Sequence, residues 1–524
     1  MHPPRQRRIR SGAGVAALVA ATLWMAVPGA TAAWADGLPI PAGYTVAAHD
    51  APADGVEHYT LTRTDPAMVV NVARVAAGAP VSLRAVLSNE TVAGDVPNAE
   101  TTSGMCARVH CVVGINGDFF NETSQQPLGA FVTDGALLRT PSNTHHQLSL
   151  TAGGTLTDQP FSWTGRLLPT DLQPVDIGGV NVDRPAGKVV LYTPAYGRTT
   201  GTTAPGVDLV VRVVEPAGEF RLGQTARVEL VALDDGAQDG PIPPDGAVLS
   251  GDGPAGDALR SLWARVGSGA ASHQALLRLS ADEDVRESLG GSPILVRDGK
   301  RWFGDPGDDF TDGRHPRTLV GWKPGGDTLL VTVDGRQPGV SVGMSLFEAT
   351  DLLIALGATD GINLDGGGST TFVQGGAVVN HPSDVQVRNG GKTLVRHSVQ
   401  KGDTLLGHVE RPVATALVVM PSIAVSVPPV DPLAGVALGL HEQALAAPAP
   451  SVADGTVAGP AGTALLAAGD PASVPDGRLP ALVGPRPDVG SPLVHAAIVF
   501  DVLALVAVAA AGLTFRRRRG ASGA

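Results

Sequence analysis

Asp365 stands at the end of a short apolar run, followed by three glycines and three hydroxyl residues in the stretch DGINLDGGGSTT at 360–371. Three glycines in a row carry a high conformational-entropy cost, so the backbone there must turn tightly or approach another group closely. Such a loop can aim several N–H groups at one anion: Gly366, Gly367 and Gly368 offer backbone, and Ser369, Thr370 and Thr371 offer hydroxyls. Two other apolar runs end in similar chemistry. Asn116 and Asp118 follow residues 111–115, and Asp334 and Arg336 follow residues 329–333. His315 and Arg317 lie in a polar loop just before another strand. Arg317 and Arg336 can clamp a phosphodiester through bidentate contacts. Asp118, Asp334 and Asp365 can serve as acid, base or nucleophile at an anomeric carbon. The same three aspartates offer oxygen ligands to Ca2+ or Mg2+, although no motif requires a cofactor. His315 could act in proton transfer, but a histidine before a proline in a loop is more often simply solvated.

The elements that must position these groups are mostly strands. Three apolar strands lying side by side in one sheet would bring their ends to one edge, which in open α/β sheets is the usual ligand crevice. Phe119 and Phe120 after Asp118 would then add an apolar wall; the bland alternative is an Asn-Gly turn with two core phenylalanines. Ser345 and Glu348 have the spacing of a capping box. Leu346, Ala349, Leu353 and Leu356 recur at helical spacing, with Gly357 as terminator, so Glu348 is expected to be structural. Short strands separated by turn residues fill 128–230, and residues 281–289 are expected to form a short charged helix.

The chain has 524 residues and a net charge of -12, with no basic stripe in its centre, which excludes a nucleic-acid surface. A basic n-region, an apolar run at 13–27 and the small-x-small signal at 33–35 spell a signal peptide, with an uncleaved anchor as the alternative. In an exported chain the only two cysteines, Cys106 and Cys111, are expected to form a disulfide that fixes the start of the following strand. Residues 429–490 are rich in Pro, Ala and Gly and suggest a disordered stalk. The apolar run 493–515 is long enough to span a bilayer, and the arginines at 516–519 would stay cytoplasmic.

Taken together, GINGDFF (114–120), HPRTLVG (315–321), VTVDGR (331–336) and GMSLFEATDLLIALGATDGINLDGGGST (343–370) resemble the phosphodiester glycosidase family, in the family's motif order over about 104–400. The resemblance implies hydrolysis of a sugar-1-phosphodiester to free sugar and a phosphate monoester. It implies a site lined by Asn116, Asp118, Arg317, Asp334, Arg336, Asp365 and Gly366 to Ser369. Mammalian members carry cysteine-rich segments after the catalytic domain; this chain has two cysteines in all. The alternatives are a non-catalytic glycan-binding module and a metal-dependent phosphodiesterase that cuts the P–O bond. The expected fold is α+β (mixed α/β), with a central sheet, few helices, a β-rich inserted region at about 160–285 and a C-terminal single transmembrane helix. The expected order is a signal peptide to 35, a β-rich lead-in to 103, the glycosidase domain at 104–405 and terminal strands to 428. Stalk, span and basic tail follow, and the oligomeric state is left open.

Overall fold

The computed structural model describes residues 37–422 apart from short stretches at 94–98, 143–144, 171, 268, 270–271, 283 and 305. The expected signal peptide, stalk, membrane span and basic tail lie outside the described residues. Among the described residues no helix is long and apolar enough to cross a membrane.

The fold is β-rich with few helices. Its central sheet has eight strands, in the order Thr45–Ala53, Val56–Arg63, Met68–Val75, Thr328–Val333, Arg317–Trp322, Asp360–Asn363, Ile294–Arg297 and Lys300–Arg301. Every pairing in it is antiparallel. Alternation along the strands sets the layers, because successive side chains point to opposite faces. Leu319 and Val331 face the helix Leu346–Ala355, whose Leu346, Ala349 and Leu353 pack on them. Val320, Leu330 and Ile362 point the other way, into a core shared with Phe372 and Leu417.

Phe372 and Leu417 belong to a second sheet, ordered Ala377–Val378, Phe372–Gln374, Val113–Asn116, Thr415–Pro421 and Val81–Leu87. This corrects one expectation. The strand ending at Asn116 does not lie beside the strands ending near Asp334 and Asp365; it approaches them from the opposite layer. The convergence is made between two sheets.

The capping box forms as its spacing requires: Glu348 N donates to Ser345 Oγ at 3.2 Å, and Ser345 N to Glu348 Oε2 at 3.0 Å. Glu348 also accepts from Arg314 Nη2 at 2.6 Å, so it is a structural residue. Cys106, in the helix Thr102–Val109, is joined to Cys111, two residues before the Val113–Asn116 strand.

Seven strands between Trp163 and Ala281 close into a barrel around Leu167, Leu191, Leu209, Leu249 and Leu277. The helix Gly253–Gly267 packs into that core through Leu259 and Leu262; its apolar spacing was overlooked in the sequence. The charged helix expected at 281–289 does not exist. Val285–Gly291 is a strand, and Glu287 is buried in it because its carboxylate accepts from Ala85 N and Asp134 N, each at 2.9 Å.

Candidate active site

Two central strands, Thr328–Val333 and Asp360–Asn363, flank Arg317–Trp322 and run antiparallel to it. Their C-terminal ends therefore meet the N-terminal end of Arg317–Trp322 at one edge, where Arg317 pairs with Val333 and Leu319 with Asn363. A cavity of about 400 Å3 opens there. Asp365 and Gly366 to Gly368 form its floor, and His315, Arg317 and Arg336 line one side. Phe119 and Phe310 supply an aromatic wall, their ring centres 6.2 Å apart.

The glycines are required by what lies against them. A Cβ on Gly366 would stand 2.7 Å from the Pro316 carbonyl oxygen, and one on Gly367, at φ +62°, 3.2 Å from the Arg336 guanidinium. A Cβ on Gly368 would overlap both the Arg411 guanidinium and the Asp384 carboxylate. The loop is bare so that arginines can reach the cavity floor. The expected anion nest of N–H groups is corrected in part, since Gly367, Ser369 and Thr370 N–H groups donate to Pro316, Gly366 and Gly367 carbonyls. Gly368→Ala should therefore displace the Arg411–Asp384 pair, costing about 1–3 kcal/mol through overpacking. Chemical denaturation measures the cost, and an unchanged midpoint would contradict this packing.

Arg317 is 2% exposed, and its guanidinium donates to the carbonyls of Met344 (2.9 Å), Phe310 (2.7 Å) and Gly313 (3.0 Å). Burial and the neighbouring Arg336 push its pKa down to about 10. Burial and Arg411 likewise lower that of Arg336. Among the described residues neither arginine is ion-paired to a carboxylate. Two crowded cations without a carboxylate partner form a site that an anion would stabilise. Arg411 differs, because Asp384 holds it through Nε at 2.8 Å and Nη2 at 3.1 Å. His315 Nδ1 lies 3.4 Å from Arg336 Nη2 and its Nε2 lies 2.9 Å from the Asp309 carbonyl, which assigns the proton to Nε2.

Burial raises the Asp365 carboxyl to about 6, with Arg411 among the groups that oppose the rise. Asp118 lies just behind the cavity, 1% exposed, with Oδ2 accepting from Gly129 N at 2.6 Å and Oδ1 unpartnered. Burial raises it to about 7, and the Asp365 charge pushes in the same direction. The site thus places the buried Asp118 and the half-buried Asp365 near a buried arginine, Arg317, and an exposed one, Arg336.

Besides Asp118, four expected site residues do not line the cavity. Asn116 is fully buried; its Nδ2 donates to the Asp365 carbonyl at 2.7 Å while its Oδ1 accepts from Thr318 Oγ1 at 2.7 Å. It ties the two sheets together and positions the Asp365 loop. Asp334 is also fully buried, accepting from Asn380 Nδ2 at 2.9 Å and from His381 N at 3.1 Å. Ser369 and Thr370 are buried beneath the loop and cannot reach a ligand in the cavity as expected. Among the described residues no group of three or more His, Cys, Asp or Glu side chains could hold a metal ion, so Asp118, Asp334 and Asp365 do not form the shared cation site considered above. Conversely, Glu122, Asp309, Phe310, His397 and Arg411 line the cavity without having been expected. Glu122, two residues past the 114–120 motif, and Asp309 and Phe310, just upstream of the His315 loop, carried a signal: nearness to a recognised motif.

Fold and site together place two carboxyl groups and two arginines at the junction of two antiparallel sheets. Residues 223–420 match the family model for phosphodiester glycosidase. The N-acetylglucosamine-1-phosphodiester alpha-N-acetylglucosaminidase of Bos taurus is 41% identical over 68 residues, or 13% of this chain and 12% of that protein. The SPbeta prophage-derived uncharacterized protein YomE of Bacillus subtilis (strain 168) is 34% identical over 71 residues, 14% of this chain and 11% of that protein. The matched stretch is thus a small part of these relatives. A putative exported protein from Burkholderia pseudomallei K96243 shares the fold, with a TM-score of 0.52 at 21% identity, covering 74% of this chain and 98% of that one. The likeness to the phosphodiester glycosidase family is thus carried by residues 223–420.

Proposed function

We propose that this chain hydrolyses the glycosidic C–O bond of sugar-1-phosphodiesters of the N-acetylglucosamine type, the linkage named for its bovine relative. The observation that carries this is the presence in one cavity of Asp365 with Arg317 and Arg336, two arginines that among the described residues have no carboxylate ion-pair partner. The C1–O bond breaks with its electron pair left on the phosphate oxygen, so the phosphate passes from one negative charge toward two. Arginines placed before the reaction stabilise that developing charge without reorganising. A phosphate monoester is a weak base and leaves without protonation. The carboxylate of Asp365 then acts at the anomeric carbon or on the water that supplies the new C1–O bond. Phe119 and Phe310 give the sugar ring an apolar wall.

The basic n-region and cleavage signal support export, and the apolar run 493–515 with its arginine flank supports a membrane anchor with the hydrolase outside. Surface glycans joined by sugar phosphodiesters are the substrate class that suits such placement.

The test is product analysis by NMR on the purified full chain with an alkyl N-acetylglucosamine-1-phosphodiester, with and without chelator. Free sugar in both conditions is expected. Sugar-1-phosphate that disappears with chelator would mark a metal-dependent phosphodiesterase, and no turnover across several sugar phosphodiesters would leave a glycan-binding module. The charge argument also predicts inhibition. Two unpaired arginines should hold the dianion of glycerol 3-phosphate at least about tenfold more tightly than monoanionic dimethyl phosphate. Equal inhibition constants would contradict it.

A further inference from the structure

A second cavity, of about 280 Å3, opens where Asp183, Arg184, Tyr192, Thr200, Thr203 and Asp252 come together. None of these residues belongs to the arginine cavity. Its place follows from strand alternation: Leu191 points into the barrel core, so Tyr192 points outward.

The polar groups here are held in place. Arg184 Nη1 donates to Ser250 Oγ at 2.8 Å, and Nη2 donates to the Ala204 carbonyl at 2.6 Å. A Cβ on Gly206 would overlap that guanidinium, so the residue opposite must be glycine. Asp252 accepts from Gly187 N at 2.6 Å. Asp208, 3% exposed and outside this lining, is raised by burial, while the Ser250 hydroxyl that Arg184 holds and the Arg184 charge oppose the rise.

The surplus of carboxylates over the single arginine repels phosphate, the opposite of the first cavity. Among the described residues no carboxylate group here is arranged to hold a metal. What remains is a lining in which hydroxyls, carboxylates and a guanidinium alternate as donors and acceptors. That set matches the vicinal hydroxyls of a sugar. The volume is close to the lower limit for small-ligand sites, which suits one ring.

We propose that this cavity binds one neutral sugar unit, an accessory glycan site distinct from the arginine cavity.

The test is equilibrium binding of labelled glucose and N-acetylglucosamine to the full chain carrying Asp365→Asn. Saturable binding is expected, weakened at least about tenfold by Asp183→Asn or by Tyr192→Phe. Arg336→Ala should leave it unchanged, and glucose 6-phosphate should not compete. Absence of binding by both neutral sugars overturns the proposal. So does binding that Arg336→Ala abolishes and Asp183→Asn leaves intact. No turnover is read, so this result is separate from whether the chain hydrolyses phosphodiesters.

Discussion

Asp365→Asn lowers kcat by about 10³-fold, the typical scale for removal of a positioned acid–base group, while the fold is retained. Asparagine keeps the size of the side chain and leaves untouched the bond from Asn116 to the Asp365 carbonyl, at 2.7 Å, that positions the loop. What is lost is the charge. The wild-type pH profile should show the same dependence. The carboxyl is raised by burial to about 6, and the ionised form is the one that works, so kcat/KM should fall as pH drops through about 6. Steady-state kinetics over that range, on a sugar phosphodiester, checks both statements. Near-wild-type turnover by the asparagine variant would remove Asp365 from the chemistry.

Asp118→Asn has its largest effect on stability, and the effect depends on pH. The folded-state pKa, about 7, lies above the ordinary 3.8, so the folded chain binds an extra proton between those values. The stability tied to this group is therefore fully present below the unfolded pKa and is lost as pH rises through about 7. Asparagine carries no such proton, and its amide oxygen can still accept from Gly129 N, as Asp118 Oδ2 does at 2.6 Å. Between about pH 5 and pH 8 the wild type should lose up to about 3 kcal/mol more than the variant. Urea unfolding at the two pH values measures the difference. Parallel losses in the two proteins would show that Asp118 is not held protonated.

Much of the site was legible because strand ends announce themselves. Asp365, the three glycines, Arg317, Arg336 and His315 all reach one cavity, as their position at the ends of apolar runs suggested. What a strand end does not announce is which way each side chain turns. Asn116 and Asp334 sit at equally conspicuous ends, yet both turn inward and bond the backbone or side chains of other segments. They hold the edge together and leave the cavity to their neighbours. The role of the glycines was also only half visible. Their spacing required close approach, but that the Arg411–Asp384 pair is among the approaching groups depends on residues 384–411, which carry no motif.

The fold shows the same division. The capping box of Ser345 and Glu348 is local, so its spacing alone was sufficient. Residues 285–291 contain charges at intervals that suit a helix, yet tertiary hydrogen bonds to Glu287 from Ala85 and Asp134 hold them as a strand. Placement of the Asn116 strand in a second sheet is likewise set by pairing with Thr415–Pro421, some three hundred residues away in sequence. Long-range pairing was the part that composition and periodicity left open.

The most direct measurement is the fate of oxygen-18 when the full chain hydrolyses an alkyl N-acetylglucosamine-1-phosphodiester in labelled water. Label in the free sugar is the expected result, since water attacks the anomeric carbon and the phosphate leaves with its own oxygen. Label in the phosphate would mean that the P–O bond is cut, and the glycosidase assignment of this site would be wrong.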